Sequence, residues 1–232
     1  MQPVGPGRSA ITVIGSDSIR AMWVFFDLNG TLVDPSVLLE PAEIPIAALD
    51  EANVMAMITT IAGRETAFTP LLDAALRRGL QRAGRSPEEA AGALEKLPRM
   101  PAYPDVPDAL GALREAGFTL AVLTQSAADA AEEVTRNAGI RDAFELVLSA
   151  PALGAFKPDD LAYKSALERA GVTDAWFVAG HWWDVAGAAY AGLRTAWISR
   201  TDLAYPDAMP EPDVRGADLA EVAAALLATR PG

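Results

Sequence analysis

The chain has 232 residues, 51 % of them hydrophobic, enough to bury an α/β core and carry a modest second subdomain. Its formal charge of −12 repels phosphate backbones and anionic membrane surfaces, so neither nucleic acid nor a membrane is an expected partner. There is no cysteine, which excludes a disulfide framework and a thiolate metal site and makes a cytoplasmic location the default expectation.

Residues 1–21 lack the basic-then-apolar build of a signal peptide and are expected to form a poorly ordered extension. The first strand is predicted at residues 23–26, Trp-Val-Phe-Phe, and delivers Asp27 at its end. Residues 35–98 then show helical patterns only: 46–61, 66–83 and a third helix opened by Ser86-Pro87-Glu88-Glu89, which reads as a capping box. An all-helical block between two strands predicts an inserted cap domain, with the proline-rich residues 97–107 as the hinge back to the core. The core is therefore assigned to 22–34 and 99–232.

From there strands and helices alternate. Asp105 and Pro107 open a helix that Gly117 closes, Ser126 opens one that Gly139 closes, and Pro158 is expected in the first turn of one ended by Gly171. The intervening strands are predicted at 118–123, 144–148, 176–179 and 195–198. They are almost wholly apolar rather than alternating, as strands covered on both faces of a parallel sheet must be. The expected class is α/β: a doubly wound, mostly parallel, Rossmann-like sheet with a helical cap. No apolar run approaches the roughly 20 residues of a membrane span.

In such a sheet the crevice lies beyond the carboxyl ends of the strands. Asp27 follows the first strand, Thr124 and Gln125 the second, Lys157 the third, and Gly180-His181-Trp182-Trp183-Asp184 the fourth. Two carboxylates, a hydroxyl and a lysine converging from separate strands suit covalent catalysis.

This pattern resembles the haloacid-dehalogenase-like hydrolase superfamily, whose motifs occur in this order between about residues 22 and 200. Within it, Gly63-Arg64-Glu65-Thr66-Ala67-Phe68, Tyr163, Trp183-Asp184 and the run from Gly192 to Arg200 are most similar to type II 2-haloacid dehalogenases. The resemblance implies that Asp27 displaces halide from C2 of a short 2-halo acid to form an ester, which water cleaves with Asp184 as its base and Lys157 offsetting charge. Thr124 joins these as a catalytic candidate, while Asn29, Thr31, Gln125, Tyr163, His181 and Trp183 are expected around the substrate. Family likeness also implies a homodimer.

Departures qualify this. Phosphatases of the superfamily place an acid where this chain has Asn29, and an amide does not protonate a leaving alcohol, whereas halide needs no proton. They place another Asp where this chain has His181, which depletes the oxygen cage that Mg²⁺ prefers. No cofactor is expected, with room left for weakly bound Mg²⁺. The dehalogenases' halide-binding cap arginine aligns with Leu49, and their motif-two Asn with Gln125. A magnesium-dependent phosphatase and a catalytically silent member therefore stand as alternatives.

Overall fold

The computed structural model describes residues 22–40 and 44–229, so the expected extension at 1–21 lies outside the described residues. Six strands form one sheet in the order β3-β2-β1-β4-β5-β6, every neighbouring pair parallel. They are β1 (Met22–Phe26), β2 (Phe118–Thr124), β3 (Leu146–Ser149), β4 (Ala175–Ala179), β5 (Arg194–Ile198) and β6 (Val214–Gly216). The helices are α1 (Ala47–Ile61), α2 (Phe68–Arg82), α3 (Ala90–Leu94), α4 (Val106–Glu115), α5 (Ala128–Asn137), α6 (Asp160–Ala170), α7 (Trp182–Tyr190) and α8 (Leu219–Ala228).

The apolar character of β1 follows from its central place, because successive side chains point to opposite covered faces. Val24 and Phe26 pack in one cluster with Leu110 and Leu113 of α4, Val134 of α5 and Val222 of α8. Trp23 and Phe25 pack in another, with Tyr163 of α6 and Val185 and Ala188 of α7. The doubly wound architecture is thus the direct outcome of strands with no polar face.

Helices α1, α2 and α3 fall between β1 and β2, within the stretch expected to be helical. Their buried residues, among them Ala48, Ala52, Ala56, Leu76 and Leu80, join the same cluster as Val24 and Phe26. Small residues let α1 and α2 approach closely: a Cβ on Gly79 would stand 3.1 Å from that of Ala48. One hydrogen bond ties the insertion to the core, from Phe156 N–H to the Thr60 hydroxyl at 3.2 Å, and another closes the two ends of the insertion on each other, from Lys96 Nζ to the Val37 carbonyl at 3.1 Å. Among the described residues no helix is long and apolar enough to cross a membrane.

Several local expectations need correction. The Ser86 capping box does not form: its hydroxyl goes to the Glu88 carboxylate and the Glu89 carboxylate is held by Arg85, so no side chain caps the turn. Pro158 precedes α6 instead of entering its first turn, because extended Asp159 is the cap, its carboxylate accepting from Leu161 N–H at 2.9 Å. The N-cap of α5 is Ala127, since Ser126 N–H turns back to the Thr124 hydroxyl. Strand β3 begins at Leu146, after Phe144 has closed a 3-10 turn through its N–H to Arg141. Short β6 was not expected: only Gly216 of its three residues is buried, so its own pattern carries no strand signal and pairing with β5 specifies it.

Candidate active site

The strand order reverses between β1 and β4, and the crevice at such a switch point is where an open α/β sheet binds ligands. Asp27 leaves β1 there, its N–H still bonded to the Val178 carbonyl of β4 at 3.0 Å. Thr124 ends β2, Lys157 follows β3, and Asp184 lies in the first turn of α7 after β4. The four expected catalytic residues are all buried at this rim.

Lys157 is the hub. Its ammonium donates to Asp27 Oδ1 at 2.7 Å, Asp184 Oδ2 at 2.6 Å and the Leu123 carbonyl at 2.9 Å, using all three protons. The other carboxylate oxygens are also engaged: Asp27 Oδ2 accepts from the Thr31 hydroxyl at 2.8 Å, and Asp184 Oδ1 from the Tyr163 hydroxyl at 2.6 Å. Burial opposes the charge on Lys157, but Asp184 and Asp27 outweigh it and hold its pKa above the ordinary value. For Asp184 burial dominates and pushes the carboxyl up to about 6 against the pull of Lys157. Burial also raises Tyr163 well above the usual phenol range, so it remains a donor.

Close approach of two loops fixes this geometry. A Cβ on Gly180 would fall 2.5 Å from the Gly30 carbonyl, so only glycine fits where the loops after β1 and β4 meet. Gly180 N–H donates to the Thr31 hydroxyl at 2.9 Å, and Trp197 Nε1–H to the Gly180 carbonyl at 3.1 Å. Thr31 thereby spans the loops and orients Asp27. Both ends of the Gln125 amide bind the backbone of Lys157, at 2.9 and 3.0 Å, while Tyr163 stands fully buried behind Asp184. All three side chains, expected around the substrate, bond to the catalytic candidates, and Gln125 also lines the cavity in front of Asp27.

In front of Asp27 lies a cavity of about 60 Å³. A bound water takes roughly 10–15 Å³ on that measure, so the space suits a molecule of a few heavy atoms. The core supplies Asn29, Thr124, Gln125, His181 and Trp183, as expected; the helical insertion supplies a mostly apolar wall including Leu38, Leu49 and Phe68. The His181 ring stacks on Trp183, centroids 5.5 Å apart. Asp50, Asn53 and Thr201 also line the cavity, and Asp202 stands behind His181, its carboxylate 3.9 Å from Nδ1. Sequence reading missed these four. The spacing of Ile46, Leu49, Asp50 and Asn53 on one face of α1 was an available signal for the cap positions; none marked Asp202.

The donor set does not fit a resident Mg²⁺. All four oxygens of Asp27 and Asp184 already accept protein hydrogen bonds, and among the described residues no group of three or more His, Cys, Asp or Glu gathers as ligands.

A doubly wound sheet bearing a carboxylate–lysine–carboxylate centre beneath a helical insertion defines a capped α/β hydrolase. The chain belongs to the haloacid dehalogenase-like hydrolases, whose family model matches residues 21–192. It is 32 % identical over 121 residues to haloacetate dehalogenase H-2 of Moraxella sp. (strain B), covering 51 % of this chain and 54 % of that protein. It is 35 % identical over 160 residues to phosphoserine phosphatase of Thermus thermophilus, covering 66 % and 64 %. The chain thus spans about half to two thirds of the length of these curated relatives. The solved L-2-haloacid dehalogenase RSc1362 superposes with a TM-score of 0.82 at 26 % identity, covering 89 % of this chain and 98 % of that one.

Proposed function

We propose that this chain hydrolyses the carbon–halogen bond of short 2-haloalkanoic acids through an ester on Asp27. The observation that carries the reading is the buried carboxylate of Asp27, aimed by Lys157 and Thr31 at a small, largely apolar cavity that offers Asn29 where leaving-alcohol chemistry needs an acid. An Asp27 oxygen bonds to C2 as the carbon–halogen bond breaks, and the electron pair departs with the halide. Water then adds to the Asp27 carboxyl carbon while Asp184 takes its proton. Collapse expels the 2-hydroxy acid, protonated from Asp184, and Asp27 releases the remaining proton to return to carboxylate. Displaced halide needs no proton, so Asn29 costs this reaction nothing.

Gln125, Thr31 and Tyr163 act here as positioning residues, and Thr124 with Trp183 borders the substrate. The ammonium of Lys157 neutralises charge where Mg²⁺ would otherwise be required, so the reaction is proposed to run without a cofactor. Exposed Val54, Ile58 and Ile61, at helical spacing on α1, support a homodimer, which sedimentation velocity tests.

The phosphatase relative favours a second reading, hydrolysis of a small phosphate ester. With Asn29 in place of the acid, that reaction forfeits roughly 10²–10⁴-fold. Single-turnover hydrolysis of 2-chloropropionate in ¹⁸O-water separates the two. The label is expected in the Asp27 carboxylate, with unlabelled first-turnover product and no effect of chelator, and Asp27→Asn abolishes halide release. Label directly in the product, or chelator-sensitive release of p-nitrophenol from its phosphate without halide release, overturns the proposal.

A further inference from the structure

We propose that His181, together with the Asn29 amide, is the anion-recognition pair of this cavity, meeting the negative charge that substrate brings as carboxylate or sheds as halide. This deepens the dehalogenase reading and rests on it.

Buried polar atoms almost always find a partner. Here two side chains on the same cavity wall each leave one orphaned: Asn29 Oδ1 and His181 Nδ1. The nearest carboxylate to that ring nitrogen, Asp202 at 3.9 Å, is within ion-pair range but beyond a hydrogen bond. The amide of Asn29 presents either its oxygen or its NH₂ after a flip, and anion binding selects the NH₂. His181 Nε2 sits over the nucleophile's loop, 3.0 Å from where a Cβ on Gly30 would be. Its ring is held flat against Trp183 at an interplanar angle of 18°.

The lining of the cavity makes this pair necessary. Leu49, Asp50 and Asn53 face it from α1, so this helix offers an apolar group, an acid and an amide, and among the described residues no arginine or lysine lines the wall. Lys157 is saturated by Asp27, Asp184 and the Leu123 carbonyl. Among the described residues lining the cavity, the imidazole is the group that can offer positive charge to an entering anion. Asp50 on α1 interacts with the ring, and three further carboxylates favour its protonated form: Asp202 after β5, Asp27 after β1 and Asp184 on α7. Burial acts against the charge, but these carboxylates prevail and raise the pKa above its ordinary value. Asp202 also accepts from Trp182 N–H at 2.6 Å, which locks this carboxylate to the start of α7.

His181 is the one histidine of the chain, so its imidazole resonances titrate without ambiguity in the tag-free protein. Adding propionate or bromide is expected to move that titration to higher pH, because an anion that prefers the imidazolium must by linkage strengthen its proton affinity. Propionate acting and bromide failing assigns the pair to the carboxylate; the reverse assigns it to the halide. A titration unmoved by either anion overturns the proposal, whatever the enzyme's activity. In turnover of 2-chloropropionate, His181→Gln is expected to lose roughly 10- to 150-fold in kcat/KM, the range for hydrogen bonds to charged groups, and to lose the alkaline limb. Adding Leu49→Arg to that variant restores part of the rate. Asp202→Asn retains a side-chain acceptor for Trp182 N–H and moves the alkaline limb to lower pH. An alkaline limb unchanged in both variants sinks the idea. Absence of halide release from the unaltered protein sinks the underlying reading instead, and the titration with propionate still tests the pair.

Discussion

Asp27 and Asp184 differ in what surrounds them although both bind Lys157. Asp27 meets the cavity, whereas Asp184 is wholly buried between Lys157 and Tyr163. A base must be ionised, so with Asp184 raised to about 6 the rate is expected to rise through an acid limb near that pH, a macroscopic value belonging to the coupled centre. Tyr163→Phe removes the hydroxyl that stabilises ionised Asp184 while keeping a ring against Phe177, 5.2 Å away between centroids. The carboxylate then becomes harder to ionise, and the acid limb of kcat moves to higher pH. A limb that stays in place would separate Asp184 from the titration. Asp27, Lys157 and Asp184 were legible in the sequence because each follows an apolar strand and a parallel sheet brings all such ends to one rim. The committed roles of Gln125 and Tyr163 were not, since a hydrogen-bond partner 21 or 32 positions away leaves no local periodicity.

Two glycines within helices make opposite predictions. Gly187 in α7 lies against the turn before α6, and a Cβ there would come within 2.5 Å of Pro158 Cβ and 2.7 Å of the Tyr163 hydroxyl. Gly187→Ala gains up to about 1 kcal/mol of helix propensity, but overpacking costs roughly 1–3 kcal/mol, so a net loss and a disturbed Asp184 follow. Gly111 in α4 has nothing within 4 Å of its would-be Cβ, and Gly111→Ala should stabilise by up to about 1 kcal/mol. Urea melts of both variants measure the pair; equal changes would remove the crowding argument. Helix and strand identities were readable from apolar runs and closing glycines such as Gly117 and Gly171, both at positive φ. The caps were less so. Ser86 and Glu89 have the right spacing, yet Glu88 and Arg85 take their side chains.

Across the whole molecule, core and insertion share one hydrophobic cluster, and the cavity lies where they meet. Phe68 of α2 lines both that cavity and an outer cleft of about 640 Å³ bordered by Thr60, Arg64 and Ser149. Its ring packs on Phe156 at 6.2 Å between centroids. Phe68→Ala joins the two spaces, so the ratio of kcat/KM for 2-bromohexanoate over 2-bromopropionate is expected to rise at least several-fold; an unchanged ratio would mean that chain length is set elsewhere. The amino-acid sequence by itself determined five of the six strands, the helical insertion and the residues Asp27, Thr124, Lys157 and Asp184 at or beyond strand ends, because each follows from a short-range alternation of apolar runs and polar ends. Only the tertiary structure decided which of those residues share protons, that Asp50 lines the nucleophile's cavity, and that Asp202 stands behind His181. Those relations depend on which helix face packs inward and how distant loops meet, and long-range packing settles both.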